Sequence, residues 1–392
     1  MRNVYLDYSA TTPVKEEVVK EMIPFLSEYF GNPSSLYGPG LEAKAGIDNA
    51  RNQVAELINA EPAEIYFTSC GTEADNWVLE AVCDAKSAKG NHIITTKIEH
   101  HAILHTCEYL EKHGVEVTYL DVDSEGFVDP AAFEAAIKDN TILASVMMVN
   151  NEIGTVQPIK ELAAIAKKHG VLFHTDAVQG LGNLPIDVKD LGVDFISMSA
   201  HKIYGPKGIG ALYKRKGIQI PSYVHGGAQE RKKRAGTENS SGIVGFGKAA
   251  ELARLGLDEH IAHSRELRAY LWEKIQEQVT DVYLNGPVDF DKRHPGNLNV
   301  CFDYIEGESI LLLLDCNGIC VSTGSACSSK SLASSHVLDA IGVSIARSNG
   351  AVRFTVGDFT TKKDIDYVVE TLVKVVKRLR ELSPVNGMEG WD

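Results

Sequence analysis

Short β-rich runs alternate with helical patterns between Ala63 and Leu212, and this alternation restricts the fold more than any other feature of the sequence. The predicted strands are residues 64–68, 92–96, 115–120, 142–149, 171–174, 195–199 and 209–213. The predicted helices between them are residues 72–84, 101–113 and 160–169. Strands that alternate with helices favour a mostly parallel α/β sheet with helices on both faces. Ligands of such sheets bind beyond the carboxyl ends of the strands.

The rest of the chain follows a different pattern. A long helical segment covers about Ile243–Val279 and is interrupted near Gly256. The later predicted elements are strands at 297–302 and 352–356 and helices at 309–315 and 362–382. The last helix is amphipathic, because its apolar residues recur at helical spacing. We therefore expect a second, smaller α+β layer after the sheet.

The charge and the cysteine content exclude several classes of protein. The 392 residues include 39 Lys+Arg and 53 Asp+Glu, a formal net charge of -14, which gives no electrostatic attraction to nucleic acid or to an anionic membrane. The seven cysteines include no CxxC pair, which favours a reducing compartment over a disulfide framework. The first residues do not resemble a signal peptide, and the apolar stretches are too short to span a bilayer. We therefore expect a cytoplasmic protein with no nucleic-acid or membrane partner.

A lysine follows one of the predicted strands in the sequence Ser199-Ala-His201-Lys202, and a turn rich in Gly and Pro comes next. A lysine held at a strand end is partly desolvated, which lowers its pKa and makes it nucleophilic toward aldehydes. In isolation, however, Lys202 is better explained as a surface lysine in a hairpin turn.

Two more polar clusters stand where predicted strands end. The sequence Asp176-Ala-Val-Gln179 offers an acid that either caps a helix or holds a protonated heterocyclic nitrogen, as pyridoxal 5'-phosphate (PLP) requires. The sequence Thr68-Ser-Cys70-Gly71-Thr72 is a strand-to-helix turn whose free N–H groups and hydroxyl are typical of a phosphate site. Such turns are common, so this signal is weak alone.

In chain order, the phosphate turn, Asp176 and Lys202 resemble the fold type I PLP-dependent enzymes. More specific motifs resemble class V of that fold type, the NifS/IscS-like cysteine desulfurases. These motifs are Tyr5-Leu-Asp-Tyr-Ser-Ala-Thr-Thr-Pro13, Gly31-Asn-Pro-Ser-Ser35, Glu99-His100, Val149-Asn-Asn-Glu-Ile-Gly154, Asp176-Ala-Val-Gln179, Ser199-Ala-His-Lys202, Arg234-Ala-Gly-Thr-Glu-Asn239 and Ser325-Ala-Cys327. The resemblance extends from about Val4 to Leu382.

The resemblance implies an aspartate aminotransferase-like fold of two domains. The large PLP-binding domain, residues 15–258, would contain a mostly parallel seven-stranded sheet. The smaller α+β domain would combine residues 1–14 with residues 259–392 and would carry the catalytic cysteine. The family also implies a homodimer, because the residue that matches Thr237 reaches the phosphate of the neighbouring subunit.

The resemblance also assigns roles to individual residues. The catalytic residues would be Lys202, which forms the Schiff base with PLP and moves the Cα proton, Cys327, and His100, which stacks on the ring and acts as an acid/base. The cofactor would further contact Asp176, Gln179, Gly71, Thr72, Asn151, Ser199, His201 and Thr237. Arg353, Asn32 and Asn151 would bind the substrate, and no metal site is expected. Without the resemblance, His100 is better explained as a helix-start histidine and Arg353 as an outward-facing strand residue.

Cys327 differs from the other cysteines in its surroundings. It lies in the Gly/Ser-rich stretch 322–331, which has the composition of a mobile loop. The cysteines predicted to be small core residues are Cys83, Cys107, Cys301, Cys316 and Cys320. A loop thiolate can attack the substrate sulfur if its pKa is lowered or if the leaving group is good.

The implied reaction converts L-cysteine to L-alanine, with the sulfur held as a persulfide on Cys327 and passed to an iron–sulfur scaffold protein or a thiolation carrier. A selenocysteine lyase or an aminotransferase would keep the PLP residues without needing the loop thiol. A non-enzymatic binding platform would not need Lys202. Three positions depart from the family pattern: Cys70 in the phosphate turn, Tyr37 where a His is common, and Asp358 where many relatives have Arg.

Overall fold

The computed structural model describes residues 3–323 and 335–384. Twelve strands lie within these ranges. They are β1 Val4–Tyr5, β2 Ile65–Thr68, β3 His92–Thr96, β4 Glu116–Leu120, β5 Thr141–Ser145, β6 Leu172–Asp176, β7 Phe195–Ser199, β8 Gly210–Lys214, β9 Val282–Leu284, β10 Asn297–Phe302, β11 Ile319–Cys320 and β12 Ala351–Thr355.

The same ranges contain fifteen α-helical segments and three short 3₁₀ turns. The helices are α1 Glu16–Met22, α2 Pro24–Ser27, α3 Gly38–Leu57, α4 Gly71–Lys86, α5 His101–Glu111, α6 Pro130–Ala136, α7 Ile159–Lys168, α8 Val188–Leu191, α9 Gln229–Lys232, α10 Ser240–Leu255, α11 Leu257–Gln278, α12 Gly307–Asp315, α13 His336–Ala340, α14 Ile345–Ser348 and α15 Lys362–Leu382. The 3₁₀ turns are Pro62–Glu64, Ala200–Lys202 and Phe290–Lys292. The predicted break in the long helix is confirmed, because Gly256 separates α10 from α11.

The main sheet confirms the predicted α/β architecture. Seven strands lie in the order β2-β8-β7-β6-β5-β3-β4 among the described residues. The neighbours from β7 to β4 pair in parallel, and only β8 runs antiparallel to its neighbours β7 and β2. The strands β5 and β7 are buried along their whole length, as parallel strands covered by helices must be. The carboxyl ends of β5, β6 and β7 therefore meet at one edge.

A second group of elements packs around its own core. The strands β12, β10 and β9 form a three-stranded antiparallel sheet, and β1 pairs in parallel with β11. The buried apolar side chains of this core include Val4 and Leu6 at one end of the chain and residues between Leu267 and Val376 at the other. The N-terminal segment thus packs with the later half of the chain. The domain limits at residues 14/15 and 258/259 stay a prediction.

Some sequence predictions are wrong in detail. Cys316 and Cys320 are exposed rather than buried, and Cys83 is half-buried, whereas Cys107 and Cys301 are buried as expected. Cys316 lies at the end of α12, and Cys320 lies in a two-residue strand whose side chains alternate between buried and exposed.

Several element bounds also differ from the prediction. The strand predicted at 142–149 ends at Ser145, and the strand predicted at 171–174 continues to Asp176. The helix α3 was not predicted from the sequence. Within residues 3–323 and 335–384, no helix has both the length and the apolar character that a membrane span requires.

Candidate active site

A cavity of about 240 Å³ opens at the carboxyl ends of β5, β6 and β7. Its lining includes ten of the residues predicted from the sequence: Gly71, Thr72, His100, Asn151, Asp176, Gln179, Ser199, His201, Lys202 and Arg353. These residues come from six different parts of the chain. They meet at the edge of the sheet where the strands end, which is where α/β sheets bind their ligands. The lining also includes Ser9, Ala10, Cys70, Asp75, Met147, Val149 and Val178.

Lys202 lies in the 3₁₀ turn that follows β7, directly after the last buried residue of the strand. Its Nζ donates hydrogen bonds to the carbonyl oxygens of Ser9 and Ala10, the latter at 2.8 Å. The same N-terminal segment is tied to the turn because the Thr12 N–H donates to the His201 carbonyl at 3.0 Å. The lysine is thus half-buried and held at a fixed position, with its ammonium group in the cavity.

Asp176 is the last residue of β6 and is buried, with 6% of its surface exposed. Burial raises the pKa of its carboxyl to about 6, although the hydrogen bond from the Val178 N–H and the charge of Lys202 act in the opposite direction. Burial destabilises the ionised form of Asp176, and a cationic partner would stabilise it. A protonated ring nitrogen would be such a partner. Gln179 lies one turn further on, and its Nε2 donates to the Ser9 carbonyl at 2.9 Å.

The turn into α4 provides an anion site. Gly71 begins α4, so the first N–H groups of this 16-residue helix have no partner within it. A Cβ on Gly71 would lie 2.7 Å from Val178 Cγ2, so any larger residue here would displace Val178 from the cavity wall. The Ser199 hydroxyl is buried nearby and has no hydrogen-bond partner among the described residues. Free helix N–H groups and an unpartnered hydroxyl fit a phosphate group.

His100 caps the N-terminus of α5. Its Nδ1 accepts a hydrogen bond from the Ala102 N–H at 3.1 Å, which assigns the imidazole proton to Nε2. Burial lowers the pKa of His100 to about 4, and the charge of Lys202 contributes to the lowering. The ring is therefore neutral near pH 7 and presents Nε2–H as a donor in the cavity.

Arg353 is almost fully buried in β12, with 2% of its surface exposed, so it is not an outward-facing strand residue. Its Nη2 donates to Asp7 Oδ1 at 2.7 Å and its Nη1 donates to the Asn151 carbonyl at 2.9 Å. Its Nε has no hydrogen-bond partner among residues 3–323 and 335–384. At the cavity, the Arg353 guanidinium therefore has one N–H donor without a partner, and Asp7 compensates its positive charge in part.

Cys327 lies outside the described residues, but the chain on either side of residues 324–334 is fixed beside the cavity. Ser322 exchanges two backbone hydrogen bonds with Arg353, at 2.6 and 3.1 Å. Ser335 donates to Glu152 Oε2 at 2.5 Å, and Glu152 directly follows Asn151. Both attachment points are thus on residues that line the cavity or adjoin its lining.

Two predicted residues do not line this cavity. Asn32 is exposed, and its Oδ1 accepts a hydrogen bond from the Ser34 N–H at 2.9 Å. Thr237 is exposed as well. Arg234, three residues before it, forms a bidentate ion pair with Glu73 in the first turn of α4, at 2.8 and 3.1 Å. The segment that carries Thr237 is thus attached next to the phosphate turn.

Comparisons with known proteins agree on one family. The model of the aminotransferase class-V family matches residues 4–368. The cysteine desulfurase IscS of Dictyoglomus turgidum is 54% identical over 98% of this chain and 97% of its own length. The chain belongs to the aminotransferase class-V family. Within it, the chain is similar to the cysteine desulfurases.

Solved structures support the same assignment. A NifS-like protein matches with a TM-score of 0.91 at 39% identity, over 96% of this chain and 100% of its own. A structure of SspA in complex with cysteine matches with a TM-score of 0.80 at 36% identity, over 92% of this chain and 100% of its own. Members of the class-V family are PLP-dependent. The phosphate turn, the buried Asp176 carboxyl and Lys202 in one cavity fit that cofactor.

Of the three departures from the family pattern, the one at Asp358 is explained by its surroundings. Asp358 accepts from Lys15 at 2.6 Å and from His260 at 2.5 Å, so its charge is compensated locally. These contacts hold the pKa of Asp358 well below its usual range against the effect of burial. Cys70 lines the cavity as the residue before α4. Tyr37 is exposed and precedes α3.

The buried Glu99, which precedes His100, predicts a pH-dependent stability. Burial raises its pKa from 4.5 to about 8, although hydrogen bonds from the Met147 N–H and the Thr96 hydroxyl oppose the shift. The folded chain therefore keeps a proton that the unfolded chain releases above pH 4.5, so stability falls as the pH rises from about 4.5 to 8. Glu99→Gln keeps the acceptor oxygen and cannot ionise.

We expect Glu99→Gln to be more stable than wild type at pH 8.5, by about 3 to 5 kcal/mol if the whole pKa difference acts on unfolding. At pH 4.5 this advantage should disappear. Denaturant unfolding of both proteins at the two pH values measures the difference, and Glu17→Gln on the exposed face of α1 is the control. A pH-independent difference between Glu99→Gln and wild type would contradict a neutral, buried Glu99.

Proposed function

We propose that this member of the family removes sulfur from L-cysteine, releases L-alanine and holds the sulfur as a persulfide on Cys327. The observation that carries the proposal is that Lys202, Asp176 and the phosphate turn meet in one cavity. Arg353, a candidate for the substrate carboxylate, lines the same cavity. The relatives named cysteine desulfurase over nearly the whole chain support the same reaction.

Three groups would hold the cofactor. The helix N-terminus at Gly71 and Thr72, with Ser199 and His201, would bind the phosphate, and Asp176 would face the ring nitrogen. PLP, when bound, accepts the electrons that the substrate releases on losing its Cα proton. Lys202 would take that proton on Nζ, because it is the only amine among the described lining residues. Asn151, Gln179 and His100 would orient the ring.

The substrate would enter beside Arg353. The unpaired Nε of this buried guanidinium is an available donor for a carboxylate, and a charge-assisted hydrogen bond there would be stronger than one to a neutral donor. The solved structure of SspA in complex with cysteine supports an amino acid of this size in a related site. Asn32 would complete the substrate site only if its segment moves or a second chain contributes.

The sulfur transfer would need no redox partner. The Cys327 thiolate would attack the substrate sulfur, and an S–S bond would form as the Cβ–S bond breaks. The electron pair would stay with the carbon skeleton, which would take up at Cβ the proton that the Cys327 thiol released and at Cα the proton held by Lys202, and would leave as alanine. Cys327 is the fifth residue after Ser322, so the chain can carry it at most about 18 Å from that attachment point. A site beside Arg353 is within this limit.

The reaction itself is tested with the purified PLP-loaded protein, L-cysteine and a thiol reductant. We expect alanine and sulfide in equal amounts. A keto acid in place of alanine would identify an aminotransferase instead. Turnover of L-selenocysteine with none of L-cysteine would identify a lyase for the selenium substrate. A protein that binds PLP and converts neither substrate would support a binding platform.

We also propose a homodimer, in which Thr237 reaches the cavity of the second chain. Several large apolar side chains between residues 23 and 41 are exposed. They include Ile23, Leu26, Phe30, Leu36, Tyr37 and Leu41. Leu36 is 91% exposed and Phe30 is 73% exposed. Exposed apolar surface of this kind is typical of a site that another protein chain covers. Leu36 and Glu238, the neighbour of Thr237, line one surface groove. The segment that carries Thr237 therefore adjoins Leu36 of this apolar stretch.

The dimer predicts the effect of a charge on this apolar stretch. Phe30→Asp should raise the dimer dissociation constant at least about 30-fold, because an aromatic side chain that an interface buries commonly contributes about 2 kcal/mol or more. Sedimentation equilibrium over a concentration series measures the change. Leu312→Asp is the control, because Leu312 is a large apolar residue on α12 that is also exposed. Unchanged association of Phe30→Asp would place the interface elsewhere.

The sulfur acceptor is proposed from the family alone. We propose an iron–sulfur scaffold protein or a thiolation carrier as the acceptor, and the cytoplasm as the location. The free cysteines among the described residues are consistent with a reducing compartment.

A further inference from the structure

Asp75 is a buried carboxyl group on the wall of the cavity, and the proposed reaction gives it no role. It lies near the start of α4, one turn after the phosphate site, with 1% of its surface exposed. Its Oδ1 has no hydrogen-bond partner among residues 3–323 and 335–384. A buried oxygen without a partner is uncommon because it loses its hydration without compensation.

The contacts of Asp75 connect it to the strand that carries Asp176. His174 and Asp176 are two residues apart in β6, so their side chains are on the same face of the sheet. Asp75 faces them from α4, with its Oδ1 3.6 Å from His174 Nε2. The same Nε2 lies 2.9 Å from the hydroxyl of Ser197, which also hydrogen bonds to Asp75.

The buried groups around Asp75 favour its neutral form. Burial raises the pKa of Asp75 well above its usual range, and the charge of Asp176 acts in the same direction. His174 cannot supply a compensating positive charge, because burial lowers its own pKa to about 3. Two adjacent buried carboxylates would repel each other, so one of them keeps its proton.

We propose that Asp75 is a positioning residue that stays protonated and, with His174, forms an uncharged polar layer beside Asp176. Asp176 then carries the only negative charge that the ring nitrogen of PLP meets in this part of the cavity. The neutral dipole of Asp75 stabilises that charge, because both carboxyl groups are buried. This inference rests on the proposed placement of PLP against Asp176.

Two variants separate the charge of Asp75 from its polarity. Asp75→Asn is neutral and polar, so it reproduces the proposed state of the wild-type side chain. Asp75→Val is neutral and apolar, so it removes the dipole and leaves Ser197 without this partner. Without the dipole, the Asp176 carboxylate is less stable and competes with the ring nitrogen for its proton. Thr175→Val is the control, because Thr175 is buried in the same strand and faces the other side of the sheet.

The experiment follows the ring nitrogen directly. Each variant is loaded with PLP labelled with ¹⁵N in the ring, and the ¹⁵N chemical shift is recorded against pH, together with kcat and KM for L-cysteine. We expect Asp75→Asn to retain a protonated ring nitrogen at pH 7 and a kcat within about 3-fold of wild type. We expect Asp75→Val to shift the resonance toward the unprotonated value and to lower kcat at least about 10-fold with little change in KM.

The outcomes distinguish this inference from the proposed function. Loss of ring protonation in Asp75→Asn would show that Asp75 acts as an anion and would overturn the inference. Wild-type behaviour of Asp75→Val would overturn it too, because the dipole would then be dispensable. If Asp75→Val does not fold, Asp75→Asn remains decisive. If Asp176→Asn leaves the ¹⁵N shift unchanged in active enzyme, the placement of PLP is wrong and the inference fails with it.

Discussion

Replacement of Cys327 by alanine is expected to abolish sulfur transfer and to leave PLP binding intact. The alanine side chain has no thiolate to take the sulfur, so formation of alanine from L-cysteine should fall at least about 100-fold. The cavity residues Lys202, Asp176 and Gly71 are unchanged, so the visible absorption of bound PLP should persist. Mass spectrometry of wild type after incubation with L-cysteine should show a gain of about 32 Da, one sulfur atom, mapped to Cys327.

Two other thiols are the matched controls for this variant. Cys320→Ala removes an exposed cysteine seven residues away, and Cys70→Ala removes the cysteine that lines the cavity. Both should retain alanine formation and the reductant-sensitive adduct on Cys327. An adduct on Cys70 in wild type, or full activity of Cys327→Ala, would refute the proposed nucleophile.

The position of the site could be predicted from the sequence because it depends on a local pattern. Strands that alternate with helices determine a parallel sheet, and the ends of β5, β6 and β7 then define the edge where Asp176 and Lys202 meet. The contact between Arg353 and Asn151 could not be predicted in this way, since 202 residues separate them. The resemblance to a family implied that both residues bind the substrate, but it implied no contact between them.

The features that were missed depend on packing between distant parts of the chain. The helix α3 begins Gly-Pro-Gly, which signals a turn, and its buried side chains, such as Ala43 and Ile47, are stabilised by contact with α10. At Gly46 a Cβ would lie 2.3 Å from the Phe25 ring, so the packing of Phe25 against α3 depends on a glycine that weakens the helical pattern. Asp75 looks like an ordinary polar helix residue until α4 is placed against β6.

The N-terminal segment is another feature that only the structure could place in the site. The segment Tyr5–Pro13 is one of the family motifs, but the resemblance assigns no role to its backbone. In the structure the carbonyl of Ser9 accepts from both Lys202 and Gln179, and the Ser9 N–H donates to Thr355 at 3.0 Å. Backbone carbonyls carry no sequence signal, so any residue at position 9 could have supplied this acceptor.

Replacement of Lys202 by alanine is expected to cause the largest loss of all. It removes the amine that would take the Cα proton and the group that would hold PLP covalently, so alanine formation should fall at least about 1,000-fold. The change also removes a positive charge that lowers the pKa values of His100 and Asp176, so both values should rise. The measurements are steady-state alanine formation and the mass of the peptide that carries PLP after borohydride reduction.

The matched control for this prediction is Lys207→Ala, an exposed lysine in the turn that follows Lys202. It should keep wild-type turnover and the PLP-labelled Lys202 peptide. A small primary amine added to Lys202→Ala should restore part of the activity, because it can replace the missing base without the side chain. Label on a different lysine in wild type, or a loss below about 10-fold in Lys202→Ala, would show that this amine is not the base. We expect Lys202 to be the base, because the Ser9 and Ala10 carbonyls hold its amine in the cavity that Asp176 and Arg353 also line.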